Sequence, residues 1–381
     1  MKNARVVVAQ SRVRSSRSMT PTKNAKPAPA APLATITDVA AQAGVSIKTV
    51  SRVMNDEPGV HPQTRERVLK VVAALKYRPK LSARSLAGAR SFLIGLLYYD
   101  PSAAFVGGVQ QGATLRCREA GYHLVVESLH DDAPDLQQQV DRMVSALRPD
   151  GMILAPPLCD NAQVLKALRE SGTPCVLISP GSNTRDMATV RMDDAGAAEE
   201  ITNLLISLGH TSIAFIKGAT DQAASAPRYQ GYLRAMKTHR LAVDPELVHQ
   251  GGFTFASGVD AAHHLLSRRT RPSAVFASND DMALGVLATA QRVGLSVPDD
   301  LSIAGFDDSA ASGLVWPPLT TVRQPMDGMA RAAVEMLIAA NRADGAVPVA
   351  GVHRVLPHEL VVRDSTSAPA IKASTVARRR H

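Results

Sequence analysis

The chain is poor in aromatic residues, cysteine and long apolar runs. Aromatics make up 4% of its 381 residues and include a single tryptophan. The three cysteines, Cys117, Cys159 and Cys175, form no CxxC pair and no Cys/His ligand spacing. That excludes a disulfide framework and the common zinc patterns, and three isolated thiols read as core residues in a reducing compartment. No stretch approaches the roughly 20 apolar residues that cross a bilayer. The basic amino terminus has only a short valine run, too short for a secretory signal. A cytoplasmic location without a membrane partner is therefore expected. GxSxG, GxxxxGK[ST] and HExxH are missing as well, which removes the commonest hydrolase, nucleotide and zinc-protease signatures. The acid pairs Asp193-Asp194 and Asp307-Asp308 are sequence neighbours, which does not by itself set two carboxylates for catalysis. His263-His264 reads as a partly exposed pair on a helix. No enzyme activity, cofactor or metal is expected.

Charge of one sign is scarce in only one part of the chain. Residues 1–90 carry 17 Lys+Arg against 4 Asp+Glu, a net of +13, while the whole chain is +9. The rest therefore sums to −4, and basic charge is concentrated where a nucleic-acid backbone would use it. Residues 1–33, with Arg, Ser and KPAPAAP, read as a disordered basic extension, and 367–381 as a disordered tail.

Residues 35–55 read TITDVAAQAGVSIKTVSRVMN. Thr35 and Asp38 have capping-box spacing. Ile36, Val39, Ala40 and Ala43 form an apolar stripe, Gly44 suits a left-handed helix end, and Ser46 suits the start of a second helix. Val50 and Val53 face the first helix, leaving Ile47, Lys48, Ser51 and Arg52 on another face. That is a helix-turn-helix pattern, whose second helix lies in the major groove. Lys48 and Arg52 suit guanine O6 and N7, Ile47 a thymine methyl, and Thr49 and Ser51 phosphate or bases. A third helix is predicted over 64–75, with Val68, Leu69, Val72 and Leu75 inward. The blander reading of the same stretch is a helical hairpin with a solvated basic face.

From Phe92 onward the pattern alternates. FLIGLLYY, YHLVVESL, MILAPP, CVLIS, IAFIKG, AVFAS and LSIAGFDD read as strands. DLQQQVDRMVSAL, AAEEITNLLISLGH and DMALGVLATAQRVG read as helices between them. Such βαβ repetition predicts parallel sheets with helices on both faces, and ligands beyond the carboxyl ends of the strands.

The run from Thr35 to Ser91, with DVAAQAGVSIKTVSRVMN, VHPQTRERV, YRP and ARSL at matching spacing, resembles the lactose-repressor/galactose-repressor family of bacterial transcription regulators. LIGLL, LISLGH, RYQGYLRAM, FASNDDMALG, GFDDS and PPLTTVRQP extend the likeness to about residue 366. The resemblance implies an all-α DNA-binding head at 34–80 and a hinge helix at 81–90. It implies an effector and dimerisation domain at 91–366, shared in fold with type I periplasmic binding proteins. Its two α/β subdomains, joined by three crossovers, are placed at about 91–190 with 324–349, and about 191–323 with 350–366. Leu86 takes the place of a leucine that wedges into the minor groove. Thr35, Ser46, Asn55, Tyr77 and Ala83 join the DNA contacts. Arg228, Asn279 and Asp307 match effector contacts able to grip vicinal hydroxyls, and Phe253 a ring that stacks on the ligand. Tyr98 and Tyr99 end the first strand at the mouth of the cleft, where only one of them can point inward because strand neighbours face opposite ways, and Ser179 ends the CVLIS strand where some sugar-responsive relatives carry an acid. Asn279 and Asp307 also suit simple helix or turn caps. A homodimer on a palindromic operator, released by a small carbohydrate, is the implied function. A corepressor-dependent regulator sensing a nucleobase or another metabolite is the alternative, and a sugar-binding protein or an enzyme fits less well.

Overall fold

The computed structural model describes residues 34–54, 57–77, 90–99, 103–181, 186–342 and 351–370. The chain separates into two compact units at Lys80/Leu81. The expected extension at 1–33 and the hinge residues 81–89 lie outside the described residues.

The first unit is three helices: α1 (Ile36–Ala43), α2 (Ile47–Met54) and α3 (Pro62–Ala74). The Thr35/Asp38 capping box closes the start of α1, and Gly44, at φ 64°, ends it in the left-handed region, where the lack of a Cβ removes the steric penalty. Proline opens α3, where its missing N–H costs no helical bond. Val39, Ala40, Ala43, Val50, Val53, Val68 and Tyr77 form the small core. Leu69, expected inside, is 47% exposed. It follows Val68 by a single residue, about 100° around the helix, so when Val68 occupies the interior Leu69 turns away.

The second unit holds two parallel sheets, and each sheet has helices on both faces. The first sheet comprises β1 (Leu93–Tyr98), β2 (His123–Ser128), β3 (Gly151–Leu154), β4 (Cys175–Ile178), β5 (Ala188–Arg191) and β11 (His353–Val355), in the order β11-β5-β4-β3-β1-β2. The second comprises β6 (Ile213–Lys217), β7 (Val248–Gln250), β8 (Ala274–Ala277) and β9 (Ser302–Ala304), in the order β7-β6-β8-β9. β10 (Thr321–Arg323) and β12 (Glu359–Val361) form an antiparallel pair. Around the first sheet lie α4 (Ala103–Glu119), α5 (Leu136–Leu147) and α6 (Ala162–Glu170). Around the second lie α7 (Asp194–Ser207), α8 (Ser225–Thr238), α9 (Phe255–Leu266) and α10 (Asp280–Arg292). The last helix, α11 (Met326–Arg342), returns to the first lobe and packs on α4.

The inner strands β1, β3, β4, β6 and β8 are short and wholly buried at their centres, as parallel strands covered on both sides must be, while the edge strands β2, β7 and β11 are more exposed. Alternate residues divide between cores: Ile94 and Leu96 join the α4/α11 side, and Leu97 the α5/α6 side. The chain crosses between lobes after β5, after β10 and after β11. The third crossing falls later than the sequence placed it. Residues 353–355 were assigned to the second subdomain, but β11 pairs in parallel with β5 of the first sheet. A three-residue edge strand carries too little periodicity to declare its partner. Cys117, Cys159 and Cys175 are free thiols packed in the first lobe. Burial pushes Cys117 up to about 12 and Cys175 to about 11, consistent with inert core residues. The described chain continues past 366 to residue 370, and Ser367 is tied down by His210 and Ser302. No helix among the described residues is long and apolar enough to cross a membrane.

Candidate functional sites

In the head, Val50 and Val53 are buried, which turns the opposite face of α2 to solvent. Ile47 is 48% exposed, beside exposed Lys48 and Arg52. Among the described residues Arg52 pairs with Glu57, at 3.8 Å, with both side chains substantially exposed. Such a pair is worth little and can be exchanged for a better partner. Ser46 accepts the Thr49 amide at 3.2 Å, and the two hydroxyls lie 2.9 Å apart, so both serve the start of α2. Ser51 is half-buried. The Thr35 hydroxyl donates to Asp38 and accepts the Asp38 amide, and is committed to its capping box. The Tyr77 ring faces the head's own core, where burial raises its phenol above the ordinary value. Asn55, Ala83 and Leu86 lie outside the described residues.

In the second unit, five of the six expected effector residues converge. Ser179, Arg228, Phe253, Asn279 and Asp307 line one cleft between the lobes, which encloses roughly 510 Å³ of empty space including its open mouth. Ser179 follows β4, Phe253 follows β7 and Asn279 follows β8, so the cleft lies beyond the carboxyl ends of the strands. Tyr98 is the exception. It packs with the α4 and α11 core, and Tyr99 lines the cleft instead. Successive side chains of a strand face opposite ways, so only one of the two could.

Arg228 is the fixed point of the site and only 4% exposed. Its Nε donates to Asp194 Oδ1 at 2.9 Å, one Nη donates to the Ser278 carbonyl at 2.7 Å, and its guanidinium lies 3.8 Å from the Phe306 ring centre. Asp307 Oδ1 is 3.9 Å from Arg228 and accepts from Gln324 Nε2. Burial pushes the Asp307 carboxyl well above the usual carboxylate range, against the pull of Arg228. Neighbouring Asp280, wholly buried and accepting from Thr321 Oγ1 and the Ser309 amide, is pushed up to about 6 chiefly by burial. Asn279 caps α10 through the Met282 amide, and its Nδ2 donates to the Phe253 carbonyl. The cap reading and the cleft reading thus both describe it: one side chain starts a helix and pins the loop that presents Phe253.

Two backbone features aim these groups. Phe253 and Asp307 adopt positive φ, 60° and 130°, which is costly for such residues and concentrated where a site over-determines the backbone. Gly218 clears the space for the Phe253 ring, since a Cβ there would lie 1.9 Å from its Cζ. Sequence reading missed Phe105, Gln222 and Gln324 in the lining. Gln324 could have been found by the strand-end rule, as it directly follows β10. Phe105 sits in the first turn of α4, and nothing local marks it.

Together these features define a DNA-binding regulator: a helix-turn-helix head joined to a two-lobed body with a cleft at its strand ends. Residues 35–80 match the model for bacterial regulatory proteins of the lacI family, and residues 202–366 the periplasmic binding protein-like domain. The HTH-type transcriptional regulator DegA of Bacillus subtilis (strain 168) is 36% identical over 335 residues, covering 87% of this chain and 98% of DegA. The transcriptional regulator CelR–cellobiose complex aligns with TM-score 0.67 and 31% identity over 87% of this chain and 99% of that one. The lac repressor dimer bound to operator and the anti-inducer ONPF aligns with TM-score 0.73 and 27% identity, over 88% and 99%. The chain belongs to the LacI family of bacterial regulatory proteins.

Proposed function

We propose that the protein is a cytoplasmic homodimeric repressor of carbohydrate-utilisation genes, without enzymatic activity, that leaves a palindromic operator when a small sugar-type effector enters the interlobe cleft. The observation that carries this reading is the convergence of Arg228, Asn279 and Asp307 on one cleft with Phe253 beside them. A donor fork, an amide and a carboxylate can grip vicinal hydroxyls, while an aromatic ring covers the apolar face of a sugar. On the head, Ile47, Lys48 and Arg52 read bases, with Ser51 and Thr49 assisting and Ser46, Thr35 and Tyr77 fixing the reading helix. Two heads on two half-sites match a dimer's symmetry, and Asn55, Ala83 and Leu86 supply further contacts, Leu86 as the minor-groove wedge. The aromatic side chains of the cleft also suit a flat nucleobase, the corepressor alternative, which would reverse the sign of the response.

A melting screen of the full-length protein against sugars, sugar phosphates, nucleobases and small acids, followed by binding to an operator selected from random duplexes, separates these readings. A sugar that raises the melting temperature and weakens operator binding is the expected result. A nucleobase that strengthens operator binding would replace it with the alternative.

A further inference from the structure

The chain crosses between the lobes three times, and a charged side chain holds each crossing. At the first, after β5, Asp194 opens α7 and accepts from Arg228 Nε at 2.9 Å. At the second, Arg323 ends β10, and its Nε donates to Asp308 Oδ2 at 2.6 Å. At the third, Glu359 opens β12 and accepts from Arg323, while Arg363, just past β12, donates to Asp308 Oδ1. Arg228 and Asp307 stand in the cleft 3.9 Å apart, and Asp308 is the next residue after Asp307. All three crossings are therefore tied to the charged edge of the cleft.

Asp308 is shaped for this junction. Asp307 and Asp308 both adopt positive φ, 130° and 57°, which residues with side chains rarely do. The chain there runs beside β10. Asp307 bridges Arg323, its amide donates to the Val322 carbonyl at 2.8 Å, and the Asp308 amide donates to Thr321 Oγ1 at 3.4 Å. Asp307 is thereby turned into the cleft and Asp308 onto the crossings. The Asp308 side chain is only 10% exposed, and it also accepts from Ser312 Oγ at 3.3 Å. Burial opposes its charge, yet the two arginines hold the carboxyl below the ordinary value, so it is ionised at neutral pH. Charge-assisted bonds to a sheltered carboxylate are strong and directional. Removing the charge leaves two arginines without their common partner.

We infer that Asp308 is the positioning residue that sets the angle between the lobes. It clamps the second and third crossings to the peptide that carries Asp307, as Asp194 ties the first to Arg228. A cleft occupant that pulls on Asp307 or Arg228 then shifts the crossings together. This rests on the cleft as the effector site but on no particular effector, and its test needs none.

The test measures lobe geometry in the full-length protein without effector. Spin labels at Lys166→Cys in the first lobe and Lys237→Cys in the second, both exposed positions, report the distance between lobes. A Cys175→Ala background and dilution into excess unlabelled protein confine the signal to one protomer. The parent should give a single sharp distance, and Asp308→Asn a distribution about twofold broader as further lobe angles become populated. Asparagine keeps the volume but loses the charge and one acceptor. Arg323→Gln and Arg363→Gln should each broaden the distribution less, and neither should add to Asp308→Asn, because both act through the same carboxylate. Operator affinity should fall about threefold or more in Asp308→Asn, as fewer protomers hold the operator-competent angle. A lower melting temperature with an unchanged distance distribution would overturn the proposal and leave Asp308 a structural residue. So would broadening that adds up across the variants. Should Asp308→Asn fail to fold, Arg323→Gln combined with Arg363→Gln reads the same clamp. Either result leaves the choice of effector untouched, so this proposal and the sugar reading fail separately.

Discussion

The head and the cleft carry their chemistry in opposite ways. On α2 the side chains proposed to read bases stand in water, with Ile47 48% exposed and Arg52 in a loose ion pair with Glu57. In the cleft, Arg228, Asn279, Asp307 and Phe253 are 4, 2, 5 and 6% exposed, and each is fixed by its neighbours. The head waits for a large polyanion whose phosphates supply most of the binding energy, so its residues can remain mobile until contact. A small molecule offers few contacts, so the cleft must be arranged in advance. Substitutions on α2 should therefore change DNA binding alone, and substitutions in the cleft should change the ligand response by disturbing a preset geometry.

Changes on the exposed side should have the largest effect. Arg52→Ala combined with Lys48→Ala should weaken operator binding by at least about thirtyfold, since each bidentate base contact is worth about 1–3 kcal/mol. Fluorescence anisotropy on a selected operator measures the loss, and the ligand-induced melting shift should be unchanged. A loss of that shift would blur the division between the two regions.

Gly218→Ala comes next. Its new methyl group would collide with the Phe253 ring, at a cost of about 1–3 kcal/mol for an overpacked site. Ligand affinity should fall about tenfold or more while operator binding without ligand stays within twofold. Calorimetry and anisotropy on the same preparation check both halves.

Thr35→Ala should remove the capping box and cost the head about 1 kcal/mol. Thermal melting of residues 34–80 made alone reads this, provided that unit melts cooperatively. The second unit should not respond.

The smallest effect concerns pH. His210 is buried, and desolvation holds its imidazole below the ordinary value of 6.5. With Nε2–H donating to the Ser367 carbonyl, Nδ1 is left as an acceptor for Ser273. A depressed base stabilises the folded state above 6.5 and loses that contribution as pH falls through its folded value. The stability difference between the wild-type second unit and His210→Gln should therefore narrow below pH 6.5. Denaturant unfolding at a series of pH values would show it. An unchanged difference would mean that the ring titrates like a free one.

The same contrast explains what could be read from the sequence. The head is local: capping box, left-handed glycine and apolar stripe all lie within twenty residues, and Thr35, Gly44, Val50 and Val53 each occupy the expected place. Leu69 was misassigned because a one-residue step on a helix is enough to leave the core. In the body the alternation of strands and helices was plain. The cleft is assembled from segments more than two hundred residues apart, and strand-end positions such as Asn279 could be anticipated only through topology. The Tyr98/Tyr99 choice turned on the phase of a single strand. Phe105, on the first turn of a helix far along the chain from Phe253, has no local signature. The pairing of β11 with β5 is a tertiary contact that three residues cannot encode.

Coupling between the two regions is the central claim, and operator titration measures it most directly. Full-length wild type and Gly218→Ala would each be titrated with selected operator, with and without a saturating sugar that the melting screen shows to bind the wild type. The wild type should lose at least about tenfold in operator affinity when the ligand is present, a coupling within the usual 1–3 kcal/mol range, and Gly218→Ala should lose much less at the same ligand concentration. An operator affinity that stays constant while the cleft is demonstrably filled would contradict it.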